Sequence, residues 1–378
     1  MKFNFLSKTL PSFGLDVSGN SLKIVRLEQQ AKQFRLKSYH EAFLPKGLII
    51  NDTITDIKTF DFLLKQSLDK PQYGKFDTGH VIASLPESKS FVRVIQIPQM
   101  SDSEANNAVP YEAESFIPLP IDQVYLDWQK IGNSPRFDNP PRLMPGETIR
   151  AEAGQIEAGK MNILMIASPK EFVDRYLEIL DKVGLKTVAL EVESQSCLRA
   201  SIAAGGRETS LLVDLGSFRS SLIMVEEGNL QFTSTIPIAG NTFTESIARA
   251  LGVSSNKAEE IKKKVGIANT TQYPNIKTEL LPVLYNLAAE IKNILKFHGE
   301  HSTNQVGRVI IAGGSGKLKN LPEFLATQLL EAGVPKVELA NPLQNLNITN
   351  SEHLDAVESL SFATAIGLAA RGAGYEAD

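Results

Sequence analysis

The stretch LLVDLGSFRSSLIMVEEG, residues 211–228, decides how this chain reads. An apolar run ends in Asp214, small residues follow at Gly216 and Ser217, and a second apolar run begins near Ser220. That pattern predicts a buried strand that stops on a carboxylate and folds back as a hairpin. Residues 13–28, FGLDVSGNSLKIVRLE, carry it a second time. Asp16 matches Asp214, and Ser18-Gly19 matches Gly216-Ser217 in swapped order. A further strand follows each hairpin, at Phe34–Phe43 and Leu230–Pro237. Two such units predict two related domains with a cleft between them.

The residue types point to one ligand class. A turn of Gly and Ser has little side-chain bulk and exposes backbone N–H groups that can cradle phosphate oxygens. A carboxylate at a strand end can hold Mg²⁺ directly or through its waters. Either hairpin alone could be an unrelated one with an exposed aspartate; the pair predicts a triphosphate gripped from both sides. VIIAGGSGKLKNLPEFL (309–325) adds a strand, a glycine-rich turn and a helix, where Gly313 and Gly314 would let a flat ring or a sugar approach the backbone. GGSGK is not a P-loop, because that motif needs Gly at 311 and Ser or Thr at 318, where this chain has Ile311 and Leu318.

The totals set bounds. A chain of 378 residues exceeds one ordinary core and predicts two or three domains. A net charge of −4 without a basic surplus argues against a general nucleic-acid binder. The one cysteine, Cys197, cannot form a disulfide within the chain and reads as a small buried residue. No stretch approaches the roughly 20 apolar residues that span a bilayer. The start lacks the long apolar segment of a signal peptide, and Phe3, Phe5 and Leu6 read as packing onto a domain, with contact to a membrane surface as the other reading. The expected location is cytoplasmic.

Between the hairpins the sequence predicts a helix at Thr53–Leu68, a strand at Val81–Leu85, strands at Phe91–Ile97, Val124–Ile131 and Asn162–Ala167, and a helix at Ser101–Phe116. Ser101 and Glu104 have capping-box spacing, and Pro110 should disturb that helix. The stretch 131–160, with four prolines and four glycines, reads as mobile. A helix at Glu171–Val183, a strand at Thr187–Val192 and a helix at Ser194–Ala204 come next, and Gly205–Glu208 marks a boundary. Beyond the second hairpin, helices are expected at Asn241–Leu251, Lys257–Val265, Ile276–His298, Leu321–Ala332 and Ser359–Gly372, with strands at Val309–Ala312 and Lys336–Leu339. His298 and His301, three apart, read as a solvated helix terminus rather than a metal site. Trp128 reads as core, with a peptide-groove wall as the other possibility.

In this order the pieces resemble the actin-like ATPase superfamily, with its α/β two-domain, ribonuclease H-like fold. The matching motifs are a first phosphate hairpin (14–23), a first connecting helix (193–200), a second phosphate hairpin (213–221), an adenosine motif (310–317) and a second connecting helix (361–369). Ala363, Ala365 and Gly367 suit close helix crossing in the last of these. KAEEIKKKVG (257–266) is similar to a segment of FtsA and MreB relatives. Within the superfamily the chain resembles the PilM family of type IV pilus assembly through FGLDVSGNSLKIVRLE, VIASLPESKSFVRVIQIP, PYEAESFIPLP, LEVESQSCLRA and PIAGNTFTESIARALGV.

The resemblance implies a first domain of 1–88 with 169–205, against which 361–378 packs, an inserted FtsA-type 1C subdomain at 89–168, and a second domain at 206–360. It implies ATP and Mg²⁺ as ligands. ATP contacts would come from Asp16, Ser18, Gly19, Asn20, Ser21, Lys23, Asp214, Gly216, Ser217, Arg219, Gly240, Asn241, Glu259, Lys262, Gly313, Gly314, Ser315 and Lys317. Asp16 and Asp214 would serve the metal, and Glu193 is the candidate catalytic group, with a structural carboxylate as the other reading. The implied partner is the cytosolic tail of the inner-membrane protein PilN, with pilus motor ATPases, the platform protein and a second copy of the chain as further candidates. The chain would then sit peripherally at the inner membrane through its partners. Ser18-Gly19, Ser196 and Cys197 depart from the family pattern. A sugar kinase would need an acidic base beside a polar pocket, and a type II secretion or FtsA-like protein would be expected to carry a membrane segment that this sequence does not show.

Overall fold

The computed structural model describes residues 10–31, 33–131, 159–268, 270–348, 350 and 353–375. The stretch 132–158 and the N-terminal Phe3, Phe5 and Leu6 lie outside the described residues.

The first hairpin is β1 (Phe13–Val17) and β2 (Ser21–Gln30), and β3 (Gln33–Phe43) pairs antiparallel beside it. A small hairpin, β4 (Ile49–Ile50) and β5 (Thr53–Ile54), precedes α1 (Ile57–Asp69). The expected helix therefore starts later than Thr53. Asn51 and Asp52 adopt left-handed backbone (φ 49° and 62°), the geometry of a tight hairpin loop. Asp56 then caps the helix by accepting from Lys58 N and Thr59 N. Next come β6 (Tyr73–Gly74), β7 (His80–Leu85), β8 (Phe91–Pro98), α2 (Asp102–Ala113), β9 (Val124–Ile131), β10 (Lys160–Pro169), α3 (Lys170–Lys182), β11 (Lys186–Val192) and α4 (Glu193–Ser201).

The second half opens with β12 (Ser210–Leu215), β13 (Ser220–Glu226) and β14 (Asn229–Ile236). It continues with α5 (Gly240–Leu251), α6 (Ser255–Val265), α7 (Ile276–His301), β15 (Arg308–Ala312), α8 (Leu321–Leu329), β16 (Lys336–Leu339), α9 (Ala356–Ser359) and α10 (Ala363–Gly372). Two expected helices are shorter than the sequence suggested. Ile202 turns extended after α4, and a tighter helical turn continues α8 over Leu330–Ala332.

The duplication extends to topology. In one sheet β3, β2, β1, β7 and β11 lie side by side; in the other, β14, β13, β12, β15 and β16 do. In each, the first three strands pair antiparallel and the last two run parallel to the central strand. The registers agree as well: Asp16 faces Lys23 across its hairpin, and Asp214 faces Ser221. Between β7 and α3 the chain inserts β8, β9 and β10, with α2 packed over them. Ile95, Ile97, Ala105, Val109, Met161 and Ile163 form this unit's own core. Through one residue pair, Phe232 with Arg93, β8 joins the edge of the second sheet. The predicted capping box holds: Ser101 N donates to Glu104 Oε2 (2.8 Å) and Glu104 N to Ser101 Oγ (3.3 Å). Pro110 lies inside α2 without breaking it, and the helix ends at Ala113.

α4 and α10 cross between the sheets. A Cβ at Gly367 would lie 1.9 Å from the Ser196 carbonyl oxygen, and one at Gly14 would lie 2.3 Å from the Ala365 carbonyl oxygen. The crossing carries a buried ion cluster. Glu191 receives Arg199 Nη1 at 2.5 Å, Arg371 Nη1 at 2.6 Å and Ser196 Oγ at 2.7 Å. Burial pushes this carboxyl up, but the two guanidinium groups outweigh it and hold Glu191 below the usual carboxylate range. Ser196, one of the departures from the family pattern, thus serves the cluster. Cys197 is buried, as expected.

The end of α7 corrects the sequence reading. His298 and His301 are buried rather than solvated. His298 Nε2 meets Glu226 Oε1 at 2.6 Å, and Glu226 also accepts from Ser302 Oγ and Asn304 Nδ2. His301 stacks on Phe297, with centroids 4.3 Å apart. The sequence pattern hid this because the carboxylate that pairs with His298 lies at the far end of β13. Trp128 packs against the core of the inserted unit.

The crossing can be tested with two glycines. Gly367→Ala should lower unfolding free energy by about 2 kcal/mol, since the carbonyl it meets is backbone and cannot rotate away. Gly299→Ala, in α7 with nothing within 4 Å of its added methyl, should raise it by about 0.5–1 kcal/mol. Urea unfolding of both variants checks the pair, and equal effects would remove the crossing argument.

Candidate functional site

The two hairpins face each other. Phe218, at the tip of the second, covers the first: a Cβ on Gly19 would lie 2.5 Å from its ring. Behind the tips sit the strand-end carboxylates. Asp16 accepts from Ser84 Oγ at 3.0 Å. Asp214 lies beside Ala312 of β15, and the next residue, Gly313, has φ 81°. A Cβ on Gly313 would be 2.4 Å from Asp214 Oδ1, so this position needs glycine for both space and backbone. Asp214 is raised to about 6, first by burial and then by the charge of Asp16. The sequence-predicted acidic pair therefore lies close enough for one carboxylate to feel the other's charge.

Glu193, first residue of α4, enters from below. Its Oε2 accepts from Glu87 N at 3.1 Å and lies 3.9 Å from Arg219 Nη2. Burial pushes it up to about 8, against the opposing pull of Arg219, and the charge of Asp16 adds to the rise. Glu87, which sequence reasoning missed, is itself buried, and burial raises its carboxyl too. Ser194 N donates to its Oε2 at 3.4 Å. The available signal was an apolar strand followed at once by Pro86-Glu87, another acid just past a strand end. Acidic groups thus outnumber cations in the cleft. Lys23 Nζ bonds Ser21 Oγ at 3.1 Å, and Arg219 is engaged in a two-pronged bond with Asp52 at 2.6 and 2.7 Å.

Other predicted residues are committed to bonds within the protein. Ser18 Oγ lies 3.1 Å from the Ser21 carbonyl and 3.2 Å from Ser21 Oγ, which closes the first turn. The Asn20 carbonyl accepts from Leu44 N, while its side-chain oxygen is buried without a hydrogen-bond donor. Gly240 N and Asn241 N donate to the carbonyls of Gly216 and Ser217, and Ser315 Oγ also donates to Gly216. Lys262 Nζ bonds the Gly240 carbonyl, Thr244 Oγ1 and Glu259 Oε2 at 3.0, 2.9 and 2.6 Å. Burial lowers Lys262. Glu259 feels burial too, but its bonds to Lys262 and Thr244 hold it down. These residues brace the second hairpin from behind. Gly314 lies near Ser361, and Lys317 Nζ bonds Ser361 Oγ at 3.0 Å. Burial lowers Lys317, while Glu41 and Glu358 pull it back up.

Chemically, the cleft suits a cation at the paired carboxylates. Among the described residues no three His, Cys, Asp or Glu side chains converge as a metal cage, so such an ion would keep waters or take oxygens from a ligand.

The raised groups predict a pH dependence. Between about pH 4.5 and 8 the folded chain holds a proton on Glu193 that the unfolded chain has released. Stability should therefore fall as pH rises through this window, by up to about 1.4 kcal/mol per unit for one proton. Glu193→Gln should flatten that slope. Urea unfolding from pH 5 to 8 in EDTA measures it, and an unchanged slope would reassign the proton.

The family profile described as type IV pilus assembly protein PilM matches residues 14–143 and 147–373. Cell division protein FtsA of Bacillus subtilis is 22% identical over 51% of this chain and 40% of its own length, and that of Borreliella burgdorferi is 24% identical over 68% and 64%. The chain thus spans less than two thirds of these curated relatives. Among solved structures, a PilM-PilN type IV pilus biogenesis complex shares 25% identity, with a TM-score of 0.76 over 97% of this chain and 100% of that one. MreB 5 of Spiroplasma citri bound to AMPPNP, at 12% identity and a TM-score of 0.52 over 96% and 95%, shares the fold. Among the described residues no helix is long and apolar enough to cross a membrane. With the doubled topology, the crossing helices and a profile match that runs through both halves and the insertion, the chain belongs to the PilM family of type IV pilus assembly proteins, within the actin-like fold.

Proposed function

We propose that this chain is an ATP-binding member of the pilus assembly platform, cytoplasmic and held at the inner membrane by the cytosolic tail of a PilN-type protein docked on the inserted unit. The observation that carries the partner is the likeness, along nearly the whole chain, to a relative solved as a complex with PilN. The nucleotide rests on the site itself. Asp16 and Asp214 bring two negative charges into one partly buried cleft, an arrangement that a magnesium ion would stabilise. The turns at Ser18–Asn20 and Gly216–Arg219 would offer backbone to phosphate oxygens from opposite sides, and Gly313-Gly314 would admit the nucleoside.

A bound magnesium ion would supply positive charge against that of a triphosphate. Asp16 and Asp214 would hold it through its waters, and Lys23 would face the phosphates. Glu193 accepts from Glu87 N and lies 3.9 Å from Arg219 Nη2, contacts that hold it as a structural carboxylate rather than a general base. This favours holding the nucleotide over rapid turnover. Nucleotide that bridges both lobes would stabilise the closed cleft by linkage and so bias the attached peptide site.

The test is a titration of ATP·Mg²⁺ and a synthetic PilN tail peptide, separately and together. Each should bind, and each should change the other's affinity by the same factor. Asp16→Asn combined with Asp214→Asn should weaken ATP·Mg²⁺ by more than about tenfold while leaving binding of the peptide alone intact. Failure of the peptide to bind would remove the partner; a metal-independent ATP affinity would remove the role of the carboxylates.

A further inference from the structure

The bond between Asp52 and Arg219 ties the β4–β5 loop of the first lobe to the second hairpin. Asp52 sits in the two-residue loop between β4 and β5. Its φ of 62°, beside φ 49° at Asn51, is left-handed backbone that non-glycine residues adopt at an energetic cost. The loop carries the Asp52 side chain across to the second hairpin, where it is only 9% exposed. There both its oxygens take both prongs of the Arg219 guanidinium, at 2.6 and 2.7 Å. Ser88 Oγ donates to Oδ2 as well and fixes the carboxylate from its own lobe. Arg219 Nη2 meanwhile lies 3.9 Å from Glu193 Oε2, so the guanidinium stands between Asp52 and the acidic cleft.

A planar fork that grips a carboxylate with two parallel bonds grips a phosphate with the same geometry. Arg219 also belongs to the turn that the functional reading assigns to phosphate. We propose that Asp52 is an internal competitor for the terminal phosphate: ATP draws Arg219 away from Asp52, whereas ADP, one phosphoryl group shorter, leaves the pair intact. Asp52 is then a positioning residue that sets discrimination between the two nucleotides, and the exchange loosens one cross-lobe tie as the nucleotide forms another. Asp52 is held below the usual carboxylate range: burial pushes it up, and the bonds from Arg219 and Ser88 outweigh that. The competitor is therefore charged at neutral pH. The inference rests on the ATP-binding reading.

Calorimetric titration of ATP·Mg²⁺ and ADP·Mg²⁺ tests it on the full chain, Asp52→Asn, Asp52→Glu and Arg219→Gln, with thermal unfolding to verify folding. Asp52→Asn removes the competing charge and should tighten ATP about tenfold while changing ADP less than twofold. Asp52→Glu keeps the charge and should return the ATP-to-ADP ratio toward that of the unaltered chain; if Asp52→Asn fails to fold, an unaltered ratio in Asp52→Glu beside a lost preference in Arg219→Gln supports the exchange, and equal ratios in those two variants overturn it. Arg219→Gln should erase most of the preference for ATP, and Asp52→Asn placed on it should add nothing. Tight binding of both nucleotides with the same ratio in all variants overturns this inference and leaves the ATP reading standing. An unaltered chain that binds neither nucleotide overturns the ATP reading and, with it, this one.

Discussion

At Gly367 the Ser196 carbonyl occupies the space where a side chain would begin, and the relation of the two lobes follows from that contact. Two helices can lie this close only where one has no Cβ. α10 packs on β1, β2 and β7 of the first sheet, and α4 touches strands of the second, so their crossing fixes the sheets relative to each other. Glu191 sits at the same place. A buried carboxylate between Arg199 and Arg371 adds little net stability against an apolar alternative, but breaking it leaves charges uncompensated, which penalises other arrangements of the helices.

The crossing has an electrostatic consequence. With the sheets held this way, the ends of β1 and β12 point into one cleft, and α4 starts there with Glu193. Burial out of water raises Asp214 and Glu193, and the nearby charge of Asp16 adds to the rise. The site keeps negative charge in excess of what Lys23 and Arg219 balance, and it does so on rigid elements: two strand ends and a helix start. Its brace is equally rigid, since Gly240, Asn241, Ser315 and Lys262 spend their donors on the backbone of the second hairpin and its neighbours. Several residues that the family likeness assigned to ligand contact therefore act on the turn that would make the contact.

Much of the fold was legible because local patterns carried it. Apolar runs broken by small-residue turns located the hairpins, helical spacing located most helices, and the Ser101–Glu104 spacing predicted a cap that the geometry reproduces. The misreadings have two causes, one local and one not. Thr53 and Ile54 look helical only if the Asn51-Asp52 turn is overlooked. His298 looks solvated only if Glu226, 72 positions away, is out of sight. Glu87 and Asp52 were missed because their importance comes from what they meet, not from their neighbours along the chain.

The sequence by itself determined the duplicated strand–turn–strand units, the carboxylate at each strand end, the small residues in each turn and the glycines that allow close approach, because each is a local property of residue type and spacing. Only the tertiary structure decided that Asp16 and Asp214 lie within reach of each other's charge, that Glu193 and Glu87 join them, and that Arg219 is bound to Asp52. Such pairings depend on the relative placement of two sheets, which the close packing of α4 against α10 sets and no spacing along the chain encodes.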